Sequence, residues 1–314
     1  RVLLMPGIED ELMPVGLTRQ VSEDPEEADQ IYNSYDTSTV AAEAAAGALV
    51  LHAHTESKNL EKLKELQAAG LRGVEIFNLH AMLDPDIRKD YLGLDPLGYL
   101  QDLGPFLETD GDITPDLGFL AIFQEQGISL EYYDSLAALG PITAHAGTDA
   151  HQNVLPPLLS DGERFDSYRR MISLFSNLLM VQGEGPTAVK EALASGRNYV
   201  VFEVLGTPTG LSVAYEGQEA GGGGPVGGTL TVTCPTLAAT SPQADQPPEI
   251  TAVVFKNGQV FKEGCGEFVL SEPGVYRVRF DILPLHLATF LGSEADDLVH
   301  VYPWIYSNGF RIGL

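Results

Sequence analysis

Two hydrophobic rhythms divide the chain. In the first two thirds, short apolar runs alternate with segments at helical spacing. Residues 48–54, ALVLHAH, form an apolar run around Val50 and Leu51, which predicts a buried parallel strand. A helix is predicted over roughly 57–69, where Ser57 is an N-cap residue, Leu60, Leu63 and Leu66 recur at helical spacing, and Gly70 is a stop. GVEIFN at 73–78 reads as the next strand, completing a βαβ unit. Residues 81–118 hold several Asp, Pro and Gly and read as a long excursion with short helices. PITAHAGTDAH at 141–151 is a strand running into a loop. Helices follow at 166–180, with Met171, Leu174, Phe175 and Leu178, and at 187–195, between Thr187 as N-cap and Gly196 as stop. NYVVFEV at 198–204 is a β-branched, aromatic strand.

From about 209 the helical period disappears. Alternating runs (LSVAY, TLTVTCP, EITAVVF, EFVL, VYRVRF, LVHVYPWIY) are separated by turn-rich stretches, and Lys256-Asn257-Gly258-Gln259 is a hairpin signal. The Gly-rich stretch 217–228 and the Pro-rich stretch 235–248 read as loops. This is the pattern of a small antiparallel β-sandwich without helices, with Trp304 and Tyr306 on one side of a strand, Ile305 on the other, and Trp304 buried. The expected organisation is an α/β domain over 1–206 and a β-sandwich over 209–314. The chain opens at Arg1 on an apolar run, Val2 to Met5, ending at Pro6-Gly7. That reads as the middle of a buried strand, so the natural start is expected upstream.

Composition narrows the function. A length of 314 residues favours two domains. Lys plus Arg is 18 against 44 for Asp plus Glu, a net charge of -26, which argues against binding nucleic acid or anionic lipid. No run approaches a membrane span; the expected partner is a small-molecule substrate. Cys234 and Cys265 are too few for a disulfide scaffold or a structural zinc site. They either bridge in an oxidising compartment or remain free thiols. The expected location is extracytoplasmic, periplasmic or secreted, rather than cytoplasmic.

Five of the seven histidines (His52, His54, His80, His145 and His151) fall in the first half, four of them at or near predicted strand ends, where α/β folds gather ligands. His52 and His54 share a strand face, and Asp149 and His151 repeat the spacing. Imidazole with carboxylate suits zinc, manganese or iron. Gly7-Ile8-Glu9 puts an acid directly after an apolar run. Glu75, inside a buried strand, needs a partner, either a structural hydrogen bond or the rim of a site. There is no G-x-S-x-G elbow, no P-loop and no G-x-G-x-x-G opening a helix.

PGIE at 6–9, LVLHAHTE at 49–56, GVEIFN at 73–78 and GTDAH at 147–151, in this order, resemble successive motifs of the polymerase-and-histidinol-phosphatase (PHP) metallohydrolase superfamily. PGVYRVRF at 273–280 followed by WIYSN at 304–308 resembles the β-domain of a carbaryl-hydrolase-like branch. The resemblance implies a distorted TIM-like (PHP) barrel over about 1–206, lacking its first strands. It makes Glu9, His54, Asp149 and His151 the metal ligands. Family members open with a His-x-His strand and a later Asp-His, and neither precedes Glu9. HAHTE fits the later His-Pro motif, with Thr55 in place of proline, and DELMPVGL lacks a histidine that often follows the Gly-x-Glu. The number of metals is therefore open.

The reading is a metal-dependent hydrolase. A bound divalent ion would supply hydroxide near neutral pH and polarise a phosphoryl or carbonyl oxygen. His52 and His145 are the candidate proton donors, and Glu75, Asn78 and His80 support the ligands or face the substrate. Arg164 and Arg169 are candidate local cations for an anionic group. The substrate is a small ester, carbamate or phosphoester. The competing reading is a degenerate, non-catalytic PHP-like binding protein whose β-domain mediates attachment. A chain made as written, without upstream ligands, is expected to bind metal weakly and hydrolyse little.

Overall fold

The computed structural model describes residues 10–107, 113–152, 158–219, 221–239, 244 and 246–314. Its first part runs β1 (Leu12–Val15), α1 (Pro25–Tyr32), α2 (Thr37–Ala45), β2 (Leu49–His52), α3 (Leu60–Ala69), β3 (Gly73–Asn78), α4 (Pro85–Asp90), α5 (Gly98–Asp102), α6 (Gly118–Ile122), α7 (Gly127–Leu139), β4 (Thr143–Gly147), α8 (Tyr168–Ser173), β5 (Ser176–Leu179), α9 (Gly185–Ala194) and β6 (Asn198–Val201). The rest is strand-rich: β7 (Pro208–Thr209), β8 (Ser212–Tyr215), β9 (Gln218–Glu219), β10 (Gly223–Gly224), β11 (Thr229–Thr233), β12 (Thr236–Leu237), β13 (Glu249–Lys256), β14 (Gln259–Glu263), β15 (Gly266–Val269), β16 (Gly274–Leu283), the single-turn helices α10 (Ala288–Leu291) and α11 (Ala295–Leu298), β17 (Tyr302–Ser307) and β18 (Phe310–Ile312).

The protein is mixed α/β. One sheet has the order β1-β2-β3-β4, with β2, β3 and β4 parallel and β1 antiparallel to β2. The helix between β2 and β3 starts later than expected. Asn59, not Ser57, caps α3 by accepting from Glu61 N, because Thr55–Ser57 is a 3-10 turn whose Ser57 hydroxyl donates to His54 O. Its apolar stripe, Leu63 and Leu66, is fully buried. The single helix predicted over 166–180 is instead a short helix, α8, followed by a strand, β5. Asn177 must be extended there to pair its side chain with β4, and Leu178 is exposed. The helix around 187–195 is present as α9, but Thr187 does not cap it. Helix α7 was hidden because it buries both apolar and polar positions, Leu130, Tyr133, Leu136, Ser129 and Asp134 among them. The run Val2 to Met5 lies outside the described residues.

Beyond β4 the backbone ladder gives way to side-chain amides. Asn177 on β5 accepts from Ala146 N at 3.0 Å and donates to Ala146 O at 2.9 Å, imitating a neighbouring strand. Ala144 is served in the same way: its N–H donates to Asn308 Oδ1 at 2.6 Å and its carbonyl accepts from Asn198 Nδ2 at 2.8 Å. Asn308 also donates to Asn198 O and Oδ1. Asn198 and Asn308 are buried, where an unpaired amide is costly.

The second large sheet has the order β10-β18-β16-β17-β6-β5, with β13 joined to β16 and β14 to β13. Residues 199–201 therefore pair with 305–307 across the position expected to separate two domains, Ile305 opposite Val201 and Tyr306 opposite Val200. A further antiparallel sheet, β15-β11-β8-β9, buries Val213, Tyr215, Leu230 and Val232 in alternation. The antiparallel reading of the last third holds, as does the hairpin: Asn257 and Gly258 both have positive φ between paired Lys256 and Gln259. Trp304 is fully buried and donates from Nε1 to Gly206 O at 2.8 Å. Tyr306 and Ile305 are also buried, so this strand is covered on both faces. The expectation of no helix fails at α10 and α11, where the chain turns between β16 and β17. Cys234 and Cys265 are bridged, with Cα atoms 5.6 Å apart and a sequence separation of 31 residues. Closing a loop of that size restricts the unfolded chain by roughly 3–4 kcal/mol. A buried Asp134–Arg277 pair, two contacts of 2.8 Å, ties α7 to β16.

Two outcomes test this account. Replacing Asn308 with Ala strands the Ala144 N–H and loosens Asn198, and is expected to cost about 3 kcal/mol in urea unfolding. Glu43 on α2 is fully buried without a hydrogen-bond partner among the described residues, and burial raises its pKa from the ordinary 4.5 to about 7. The unfolded chain then ionises first, so this residue lowers stability as pH rises from 4.5 to 7 and throughout higher pH. Glu43→Gln is expected to melt a few degrees higher than the native chain at pH 8 and level with it at pH 4.

Candidate metal centre

Because β2, β3 and β4 are parallel, their carboxyl ends lie along one edge, and the turns that follow carry the polar residues. His54 follows β2 with φ 53°, His80 opens the 3-10 turn after β3, and Asp149 (φ 46°), His151 and Gln152 (φ 54°) follow β4. Three of the five described non-glycine residues with positive φ therefore lie here. Each such conformation costs of order 1 kcal/mol and persists only where its surroundings enforce it.

His80, Asp149 and His151 each offer a ligand atom, and the three atoms lie within 4.8 Å of one another. Asp149 Oδ1 is 3.1 Å from His151 Nε2, and Asp149 Oδ2 is 3.8 Å from His54 Nδ1. The His80 and His151 rings meet edge to face at 5.3 Å. His80 Nε2 faces Asp84 Oδ2 at 3.8 Å, while its Nδ1 is buried without a hydrogen-bond partner among the described residues. Two donors on one ion bonded at ~2.0–2.2 Å are at most ~4.4 Å apart, so small rotations bring this set into range. Two imidazoles and a carboxylate, with an unpartnered buried nitrogen among them, fit zinc, manganese or iron.

Glu75 and Asn78 brace this edge. Glu75 Oε2 accepts from His54 N at 2.9 Å and from Asn78 Nδ2 at 3.2 Å, and Asn78 Nδ2 lies 3.2 Å from His54 Nδ1. Gln126 clamps the Asn78 backbone at both N and O. The register of β3 against β4 shifts between Glu75 and Phe77. Although two apart on one strand, these two side chains have different surroundings: the carboxylate serves the polar edge, and the Phe77 ring packs among Phe119, Phe123, Phe175 and Phe202. A bulge re-aims side chains in this manner. Gly147 admits the Glu75 carboxylate, since a Cβ there would lie 1.8 Å from Oε1.

The expected proton donors fare differently. His52 is fully buried, and its Nε2 lies 2.7 Å from Tyr35 OH. Burial, with Lys58 and the neighbouring histidines, holds its pKa well below the ordinary 6.5. Burial lowers His145 to about 3. Burial therefore favours the neutral form of both rings. The sequence reading passed over Glu56, which is fully buried and has its pKa raised by burial against the opposing pull of its own backbone N–H, His54 and Lys58. An acid two residues beyond His54 was the available signal. Glu9 lies outside the described residues. Arg164 and Arg169 are not free cations: Arg164 is paired with Asp166, and Arg169 with Glu163 and Asp116. Cavities of about 550 Å³ beside Phe255 and Arg277, and of about 410 Å³ beside Gly221 and Arg311, are lined by none of these histidines.

No protein-family description, no curated protein and no solved structure matches the chain.

A double-mutant cycle tests the brace. Gly147→Ala must displace the Glu75 carboxylate and is expected to cost ~1–3 kcal/mol. Combined with Glu75→Ala, which removes the obstacle, the cost should be less than the sum of the two single changes. Strict additivity in urea unfolding would show that Gly147 and Glu75 do not constrain each other.

Proposed function

We propose that the chain is a metal-dependent hydrolase of the PHP-barrel kind, acting on a small ester, carbamate or phosphoester. The observation that carries this reading is the convergence of His80, Asp149 and His151, from the ends of β3 and β4, within one ion's reach. His80, Asp149 and His151 would hold the ion, with the His54 imidazole beside Asp149. A bound zinc, manganese or iron ion lowers the pKa of a water molecule and polarises the group under attack. The chain's own residues do the rest. Glu75 and Asn78 fix the turn that carries His54. Glu56, whose buried carboxyl retains its proton more readily than an ordinary glutamate, can hold or release a proton at the same edge. The disulfide supports an oxidising compartment. Among the described residues no helix is long and apolar enough to cross a membrane.

The test is metal analysis of the purified chain, then zinc and manganese titration with a chromogenic naphthyl ester and a chromogenic phosphoester. Asp149→Asn and His151→Ala are each expected to weaken metal binding ~100-fold or more and to abolish turnover that the native chain shows. Turnover that persists after both substitutions would remove Asp149 and His151 from the catalytic site. Metal binding without turnover of either ester would favour a non-catalytic binding protein.

A further inference from the structure

The loop carrying Asp149 and His151 is held from outside by one guanidinium. Arg164 donates from Nε to Asp166 Oδ1 at 2.7 Å and from Nη2 to Asp166 Oδ2 at 2.8 Å, a bidentate pair. The same Nη2 donates to the backbone carbonyl of Gln152 at 2.6 Å. Gln152 directly follows His151 and has φ 54°, so its carbonyl direction sets how the chain leaves the histidine. Asp166 is 1% exposed and orients the fork.

Arg164 is itself fixed. Leu158 and Arg164 form an isolated bridge, and Leu159 N donates to Glu163 O at 3.0 Å. Arg170, also 1% exposed, donates from Nε to the Arg164 carbonyl at 3.3 Å and from Nη2 to Asp161 at 2.7 Å, and pairs with Asp116 on the turn before α6. The anchor point is thus a tight, ion-paired knot, from which Arg164 extends to the Gln152 carbonyl.

We infer that Arg164 is a positioning residue: oriented by Asp166, it fixes the Gln152 carbonyl and thereby the spacing of Asp149 and His151 for a divalent cation. This rests on the metal-site reading above. A lysine keeps the charge but not the planar fork, so it cannot hold Asp166 bidentately while reaching the carbonyl. Loss of such support around metal ligands typically costs ~10–100-fold in affinity.

The experiment compares the full native chain with Arg164→Lys, Asp166→Asn and the control Arg169→Lys. Arg169 gives up ion pairs to Glu163 and Asp116 in the same knot, but among the described residues no hydrogen bond or ion pair joins it to Gln152. Zinc and manganese affinities are measured by calorimetry, the visible spectrum of the cobalt-loaded protein reports ligand geometry, and melting temperatures are recorded without metal. The expected result is a ~10–100-fold loss of affinity and an altered cobalt spectrum for Arg164→Lys, a smaller loss for Asp166→Asn, and native affinity for Arg169→Lys. Native affinity and spectrum in Arg164→Lys, even with a lowered melting temperature, would overturn the positioning role alone. Equal weakening by Arg164→Lys and Arg169→Lys would overturn it too, as a general softening of the knot. If Arg164→Lys does not fold, Asp166→Asn decides by the same criteria. A native chain that binds neither metal overturns the metal-site reading, and the inference with it.

Discussion

The rest of the structure depends on how the free edge of β4 is satisfied. A buried strand edge with unpaired N–H and C=O groups is untenable, and here the partner is a set of asparagine side chains. Asn177 serves Ala146, and Asn198 with Asn308 serves Ala144. An amide carries a donor and an acceptor side by side, so it reproduces one step of a strand without demanding a strand's direction. This lets the β1–β4 sheet meet β5 and β6 while β6 keeps its ladders with β5 and β17. The polar edge that gathers His54, His80 and Asp149 is positioned by the same contacts, because β4 is the strand they hold.

Much of the frame was legible in the sequence, and the failures have identifiable causes. The runs at 48–54, 73–78 and 141–147 gave their strands because both faces are buried and the composition is strongly apolar. The segment 166–180 misled because Met171, Leu174, Phe175 and Leu178 keep helical spacing by coincidence. The asparagine contact made by Asn177 overrides that weak preference. The turn-rich composition after 206 is genuine, whereas the pairing between 199–201 and 305–307 across that position leaves no local mark.

At the site, the residues that local pattern can flag were flagged: His54, His80, Asp149, His151, Glu75 and Asn78 do gather at one edge. Their roles depended on burial, which sequence does not report. His52 and His145 have the right chemistry but sit where a charged ring is disfavoured. Glu56 has ordinary chemistry made unusual by its surroundings. Arg164 looked like a spare cation and is committed to a carboxylate and a carbonyl.

The pairing of β6 with β17 has a consequence for how the chain folds. Asn308 must reach Asn198 across 110 residues and Ala144 across 164, contacts of high sequence separation that slow folding. At a synthesis rate of ~5–20 residues per second, β6 waits roughly 5–20 s after emerging before its partner strand exists. During that interval its apolar edge and the uncapped side of β4 are open to other chains. The nascent protein is therefore most exposed to aggregation in the interval before its last strands arrive.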